Sequence, residues 1–317
     1  MLSTAWQNFL ATQRQLQTIP SPLCSLQNPP PALCVLEHLA LLRLSGADAG
    51  RFLQGQVSAD IDQLSAQLSS FGSLCDAKGK VITTFIVSKQ GNDLLLVLPK
   101  VLVNLVKSTM QRYILRAKVI IQEDDAVLLG SYPIENPAPL FTSTQSDATL
   151  TIHLQTRDLI ICRLETAIAF CEQQLAQGAA FQESMYWQYC DINQGIAWLT
   201  LETSQQFIAQ MLNVDKLGGI SFTKGCYTGQ EIIARTHYLG KVKRQLALAK
   251  VALSHAINPL ASITNKAGQH SATVLNAVVI DNSVYLLIVL TDTSTHTGYF
   301  LETTPVQLLR TEFNAAT

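Results

Sequence analysis

The chain has 317 residues, 48% of them hydrophobic and 14% charged, with a formal net charge of -1. That length supports a large core split over two or three domains, and the near-neutral balance argues against gripping a polyanion over the whole surface. No run of about 18 apolar residues occurs, so no membrane-spanning helix is expected, and the start M-L-S-T-A-W-Q-N-F-L lacks the basic-then-apolar layout of a signal peptide. Seven scattered cysteines without a C-x-x-C pair argue against a structural zinc site. They fit small buried hydrophobes in a reducing cytoplasm.

Residues 1–19 read as an amphipathic helix with Trp6, Phe9, Leu10 and Leu16 near one face, followed by a Pro-rich connector to residue 31. Leu33–Leu44 is almost continuously apolar and predicts one or two strands, and Asp48–Val57 predicts a helix. Strand patterns at Leu68–Cys75 and Val81–Ser88 flank the turn D-A-K-G-K, with Gly79 placed for positive φ. A strand at Leu94–Leu98, a helix from Pro99 to about Tyr113, and strands at Val119–Ile121 and Val127–Gly130 follow. The order β-α-β-β-α-β is a ferredoxin-like pattern.

After the linker P-I-E-N-P-A-P at 133–139, strands are expected at Thr149–Leu154 and Leu159–Arg163, and helices at about Thr166–Gln177 and Glu183–Tyr189. From Lys243 onward, apolar runs at Gln245–Val251, Ala272–Ile280, Ser283–Val289 and Pro305–Leu309 carry little helix signal and suggest an antiparallel β-barrel. The fold class expected is therefore α+β. Its parts are an extension over 1–32, a main region over 33–242 with a break near 133–148, and a barrel over 243–317.

The densest chemistry lies in K-G-C-Y-T-G-Q-E-I-I-A-R, Lys224–Arg235. Thr228 and Glu231 form a T-x-x-E capping box ahead of Ile232, which puts Cys226 on a Gly-bounded turn about two residues before a helix. The helix dipole and the Lys224 ammonium would both favour thiolate, making Cys226 a candidate reactive group. A Cys/His dyad is disfavoured, because His237 falls toward the far end of that helix. Lys224, Arg235, His237, Lys241, Lys243 and Arg244, joined by Lys78 and Lys80, make either a solvated basic face or an anion-binding rim. No basic recognition helix or aromatic RNA-binding pattern is present, so direct nucleic-acid binding is not expected. Trp187, in Y-W-Q-Y, is either a core ring or a stacking platform for a planar heterocycle.

The octapeptide K-G-C-Y-T-G-Q-E resembles the signature of the YgfZ family, folate-binding proteins related to the glycine-cleavage T-protein. L-S-G-A-D-A-G-R-F-L-Q-G-Q-V-S-A-D (Leu44–Asp60), C-D-A-K-G-K-V (Cys75–Val81), R-Y-I-L-R-A-K-V (Arg112–Val119) and Y-L-G-K-V-K-R-Q-L after the signature also resemble family segments in order. The resemblance covers roughly Leu33 to the C-terminus. It implies a ring of three domains with ferredoxin-like subdomains and a C-terminal barrel around a site for tetrahydrofolate or a one-carbon derivative. It further implies a cytoplasmic role in iron–sulfur cluster assembly or repair, with an indirect effect on tRNA modification. The partners implied are folate and the cluster-assembly or client proteins.

Cys226 is then the functional thiol, with Lys224 beside it, and Trp187 matches a folate-contacting tryptophan. Tyr227, Gln230, Glu231, Asn193 and Arg235 shape or line the site. Where T-proteins carry G-x-I-x-D-D, this chain reads G-K-V-I-T-T, with Thr83 and Thr84. A hydroxyl supplies neither the carboxylate's charge nor a general base near neutral pH, which argues against glycine-cleavage activity. Leu39 stands where some relatives carry a second folate-side tryptophan, Asn193 replaces a glutamate, and Ala197 and Ala209 replace prolines. A one-carbon transferase using another base and a scaffold that has lost folate remain the alternatives.

Overall fold

A computed structural model describes residues 4–16, 30–134, 136–240, 244–291 and 298–313. Helix α1 (Thr4–Leu16) packs Trp6 and Leu10 into a core with the later helix α4 (Leu164–Ala176), as its apolar face predicts. The apolar run after the connector resolves into two strands, β1 (Ala32–Val35) and β2 (Leu39–Ser45), which enter different sheets.

The first sheet is built from β2, β3 (Ser70–Cys75), β4 (Val81–Gln90), β5 (Asp93–Pro99) and β6 (Ile120–Asp124) in the order β3-β4-β5-β2-β6. Every pairing is antiparallel. Helix α2 (Ala49–Gln54) leads from β2 toward β3, and α3 (Val103–Ile114) connects β5 to β6. Without the added edge strand β3, the order β4-β5-β2-β6 is that of the ferredoxin-like arrangement read from the sequence. Residues of β4 and β5 are buried almost throughout, as a sheet covered on both faces requires.

The second sheet takes β1, β7 (Val127–Tyr132), β8 (Ser143–Gln145), β9 (Thr149–His153), β10 (Asp158–Cys162) and β11 (Ala180–Gln182), in the order β11-β1-β7-β10-β9-β8. Only β1 and β11 run parallel in it. Helix α5 (Met185–Gln194) ends on Gly195 in the left-handed conformation and leads to an irregular stretch with a 3-10 turn at Ala209–Leu212, then to α6 (Gln230–Leu239).

Six strands close the C-terminal barrel in the order β12-β15-β14-β13-β16-β17: β12 (Gln245–Val251), β13 (Ser262–Asn265), β14 (His270–Ile280), β15 (Ser283–Leu290), β16 (Tyr299–Leu301) and β17 (Thr304–Arg310). The short strands β8, β11, β13 and β16 were not expected from the sequence. Each has three or four residues, too few to show an alternation, and is fixed by its neighbours' open edges. The barrel's β12 packs on the Ala209–Leu212 turn, bringing the barrel against the segment that precedes α6. No described helix is long and apolar enough to cross a membrane.

Candidate functional site

The signature turn is held by three separate contacts. First, the hairpin turn between β3 and β4 sits directly on it. A side-chain carbon at Gly229 would fall 2.8 Å from Cys75 Cβ and 2.9 Å from the Asp76 carbonyl, and one at Gly79 would fall 2.7 Å from Ile232 Cβ. Both glycines have positive φ, +83° at Gly229 and +70° at Gly79, so the two turns interlock only because neither carries a side chain. Second, the Tyr227 amide donates to Gln230 Oε1 at 3.3 Å while the Gln230 amide donates to the Tyr227 carbonyl at 3.2 Å. Third, Lys224 Nζ donates to the Val57 and Ala59 carbonyls at 2.9 and 2.6 Å and lies 5.0 Å from the Tyr227 ring.

The expected capping box does not form. The helix cap is Gly229, not Thr228, and no side chain caps the helix. The turn pivots on the residue that fits against Cys75 and Asp76, and that residue can only be glycine. Helix α6 therefore begins at Gln230, and Cys226 lies four residues before it instead of two.

Cys226 is exposed, whereas Cys34, Cys75, Cys162 and Cys171 are buried. Burial pushes the Cys75 thiol up to about 12, Cys162 to about 11 and Cys171 to about 12, so those groups stay protonated and inert. Lys224 is drawn down to about 8 by burial, with Asp60 and Asp62 opposing the shift. Tyr227 is buried, its hydroxyl raised by burial and then by nearby Cys75, and that hydroxyl has no hydrogen-bond partner among the described residues. Glu231 and Arg235 are exposed on α6.

Of the basic cluster, Lys241 and Lys243 lie outside the described residues. Lys80 Nζ donates to the Gln206 carbonyl at 2.9 Å, and the Lys78 and Lys80 amides both donate to Asp76 Oδ1. His237 stacks on Phe222 at 3.8 Å between ring centroids.

The structure sets Trp187 elsewhere. It is 1% exposed, and the Arg157 guanidinium lies 4.2 Å from its ring centroid. Arg157 is itself fully buried: it donates to the Trp187 carbonyl at 3.1 Å, to Asp191 Oδ1 at 2.7 Å and to Gln194 Oε1 at 2.8 Å. Asp191 also accepts the Trp198 indole N–H at 3.0 Å. Trp187 is thus a core ring under a buried ion pair, with no open face for stacking. Asn193, half-buried, accepts from Arg310 of β17 at 3.2 Å and joins α5 to the barrel.

Thr84 Oγ1 donates to the Ala197 carbonyl at 2.5 Å and Thr83 Oγ1 to the Thr84 carbonyl at 2.9 Å, so both hydroxyls are spent inside the core. Leu39, Ala197 and Ala209 are buried apolar residues.

A further group of polar side chains was not singled out by the sequence. Gln210 Oε1, both side-chain atoms of Asn213, Asp215 Oδ1 and Asn276 Oδ1 are buried without a partner among the described residues. Gln210 lies within the 3-10 turn and Asn213 caps its end, and Gln210 Nε2 donates to the Ile233 carbonyl of α6 at 2.7 Å. Burial raises the Asp215 carboxyl, the Lys216 and Asp215 amides opposing. Side chains like these look like any loop polar residues until burial removes their water.

No protein-family model matches the chain. It is 38% identical to the "tRNA-modifying protein YgfZ" of Yersinia pestis (strain Pestoides F) over 232 residues, which cover 68% of this chain and 70% of that one. It is 36% identical to the protein of the same name from Yersinia enterocolitica over 240 residues, 71% of this chain and 72% of the relative. Among solved structures, glycine cleavage system aminomethyltransferase T from Bartonella henselae superposes with a TM-score of 0.70 at 12% identity, over 90% of this chain and 86% of that one.

Proposed function

The chain belongs to the family of the tRNA-modifying protein YgfZ, and from that premise we propose that it binds a reduced folate and supports iron–sulfur cluster assembly or repair, acting on tRNA modification indirectly. The observation that carries the folate reading is the set of buried, unpartnered polar atoms in the segment leading to α6: Gln210 Oε1, Asn213 Nδ2 and Oδ1, Asp215 Oδ1 and the Tyr227 hydroxyl. Donors and acceptors stripped of water cost about 1–3 kcal/mol each when nothing pairs them. The amide and amino edge of a pterin offers donors and acceptors complementary in kind to these, which is what supports the reading. These residues would hold and orient tetrahydrofolate, and a bound folate would supply one-carbon carrier chemistry.

Cys226 is the thiol we assign to work on partner proteins. It is the exposed cysteine of the signature, on a turn fixed by Gly229 and Lys224. The iron–sulfur cluster is read as cargo of the partner protein. The hydroxyls of Thr83 and Thr84, both bonded to core carbonyls, offer no carboxylate for aminomethyl transfer.

Two measurements test this. Tetrahydrofolate titrated into the purified chain by calorimetry should bind, and Asn213→Ala should weaken binding by about tenfold or more for the lost polar contacts. No heat at millimolar folate would remove the folate reading. In cells lacking the gene, Cys226→Ala should fail to restore a cluster-dependent tRNA-thiolating enzyme; full rescue would remove the thiol from the mechanism.

A further inference from the structure

The segment Val57–Ala59 is gripped from two sides. Toward β3, Ser58 Oγ lies 3.0 Å from Ser73 Oγ and accepts the Ser73 amide at 2.9 Å. Toward the approach to the signature, Ser58 Oγ donates to the Gly219 carbonyl at 2.7 Å, and the Ser221 amide donates to the Ser58 carbonyl at 2.9 Å. Lys224 closes the grip, its ammonium bridging the carbonyls on either side of Ser58, Val57 at 2.9 Å and Ala59 at 2.6 Å.

The stem of this lysine is half-buried and its head lies over the Tyr227 ring. The nearby carboxylates are Asp60 and Asp62, and Asp60 is already engaged by Gln54 Nε2 at 2.8 Å and by the Asp62 amide. Two of the three ammonium N–H donors are therefore committed to backbone 165 and 167 residues away in sequence. The Cys226 sulfur takes no hydrogen bond among the described residues, from Lys224 or from any other group.

We propose that Lys224 is a positioning residue for Cys226: it tethers the signature turn to Val57–Ala59 and presents the thiol at a fixed place, without acting on the thiol itself. This departs from the activating role that the sequence suggests, because two of the three ammonium donors go to the Val57 and Ala59 carbonyls and no Lys224–Cys226 hydrogen bond forms among the described residues. The inference rests on Cys226 being the functional thiol. A cation suits a tether of this kind better than a neutral polar residue would. Charge-assisted bonds to two carbonyls are about twice as strong as neutral ones and hold against water at a half-exposed site.

The test uses the purified full chain. Lys224→Met and Lys224→Arg are compared with the parent by peptide-resolved alkylation of Cys226 across pH and by hydrogen exchange over residues 57–60 and 221–230. The tether predicts that Lys224→Met leaves the pH midpoint of Cys226 alkylation within about 0.3 units, speeds exchange in both segments by about tenfold or more, and that Lys224→Arg restores at least half of the lost protection. A midpoint raised by about one unit in Lys224→Met would mean the ammonium acts on the thiol, and unchanged exchange would mean no tether; either result overturns the proposal. Should Lys224→Met not fold, Lys224→Gln, neutral and shorter, is read in the same way. The functional reading is tested separately by Cys226→Ala in cells, so either can fail without the other.

Discussion

The signature turn and the Trp187 network hold the two residues that the sequence marks most strongly, and they are built in opposite ways. Around Trp187, charge is buried and paired: Arg157 and Asp191 are 0% and 2% exposed and answer each other at 2.7 Å, with the guanidinium Nε left without a partner among the described residues. Around Cys226, the charge lies beneath the turn and the reactive atom faces solvent. A ring under a buried guanidinium serves the core, whereas a thiol lifted clear of every partner is available to something outside the chain. Aromatic and charged residues near one another do not make a site; what separates these two regions is whether the group reaches solvent.

The largest effect that separates the two regions should come from Asp191→Ala. It leaves Arg157 charged and buried without its partner, which should cost about 3–5 kcal/mol in urea unfolding. A loss below 1 kcal/mol would show water reaching the network and would reopen Trp187 as a ligand-facing ring. Gly229→Ala should come next, at about 1–3 kcal/mol, since it forces a side chain into the left-handed region and against Cys75 and Asp76. It should also speed exchange at 221–230. A neutral effect would mean the hairpin and α6 are not interlocked.

Asp215→Asn is a smaller and pH-dependent probe. Burial raises the Asp215 carboxyl above its unfolded value, so the native chain holds that proton to higher pH. Stability is then lost as pH rises through the window between the two values, and the cost is complete above the folded one. The variant should be more stable than the parent at pH 7, with the difference vanishing below the ordinary carboxylate range, and it should bind tetrahydrofolate more weakly. Equal stability at pH 7 would mean the carboxylate is solvated. The smallest effect belongs to Cys226→Ser, expected within about 0.5 kcal/mol of the parent because the site is exposed.

Long apolar and alternating segments are legible in the sequence alone. The strands at Val81–Gln90 and Asp93–Pro99 and the barrel strands at Gln245–Val251 and Ser283–Leu290 fall close to where the pattern puts them. Cys226 and Lys224 are legible as a motif because glycine, lysine and cysteine together are foreign to a core. Local capping rules misplace the start of α6, since Gly229 is selected by the hairpin packed on it and not by its own neighbours in sequence. Gln210, Asn213 and Asp215 are not legible, as an orphaned polar group is defined by what surrounds it.

By itself, then, the sequence determined the α+β class, the ferredoxin-like strand order, the barrel and the octapeptide, all of which depend on side-chain periodicity or on residue types that only one local backbone accepts. The tertiary structure decided the rest. It separated β1 from β2 into different sheets, enclosed Trp187 beneath Arg157, and turned Lys224 toward Val57 and Ala59. These outcomes rest on contacts between residues distant in the chain, where burial and hydrogen-bond satisfaction fix each group's role and no local pattern encodes them.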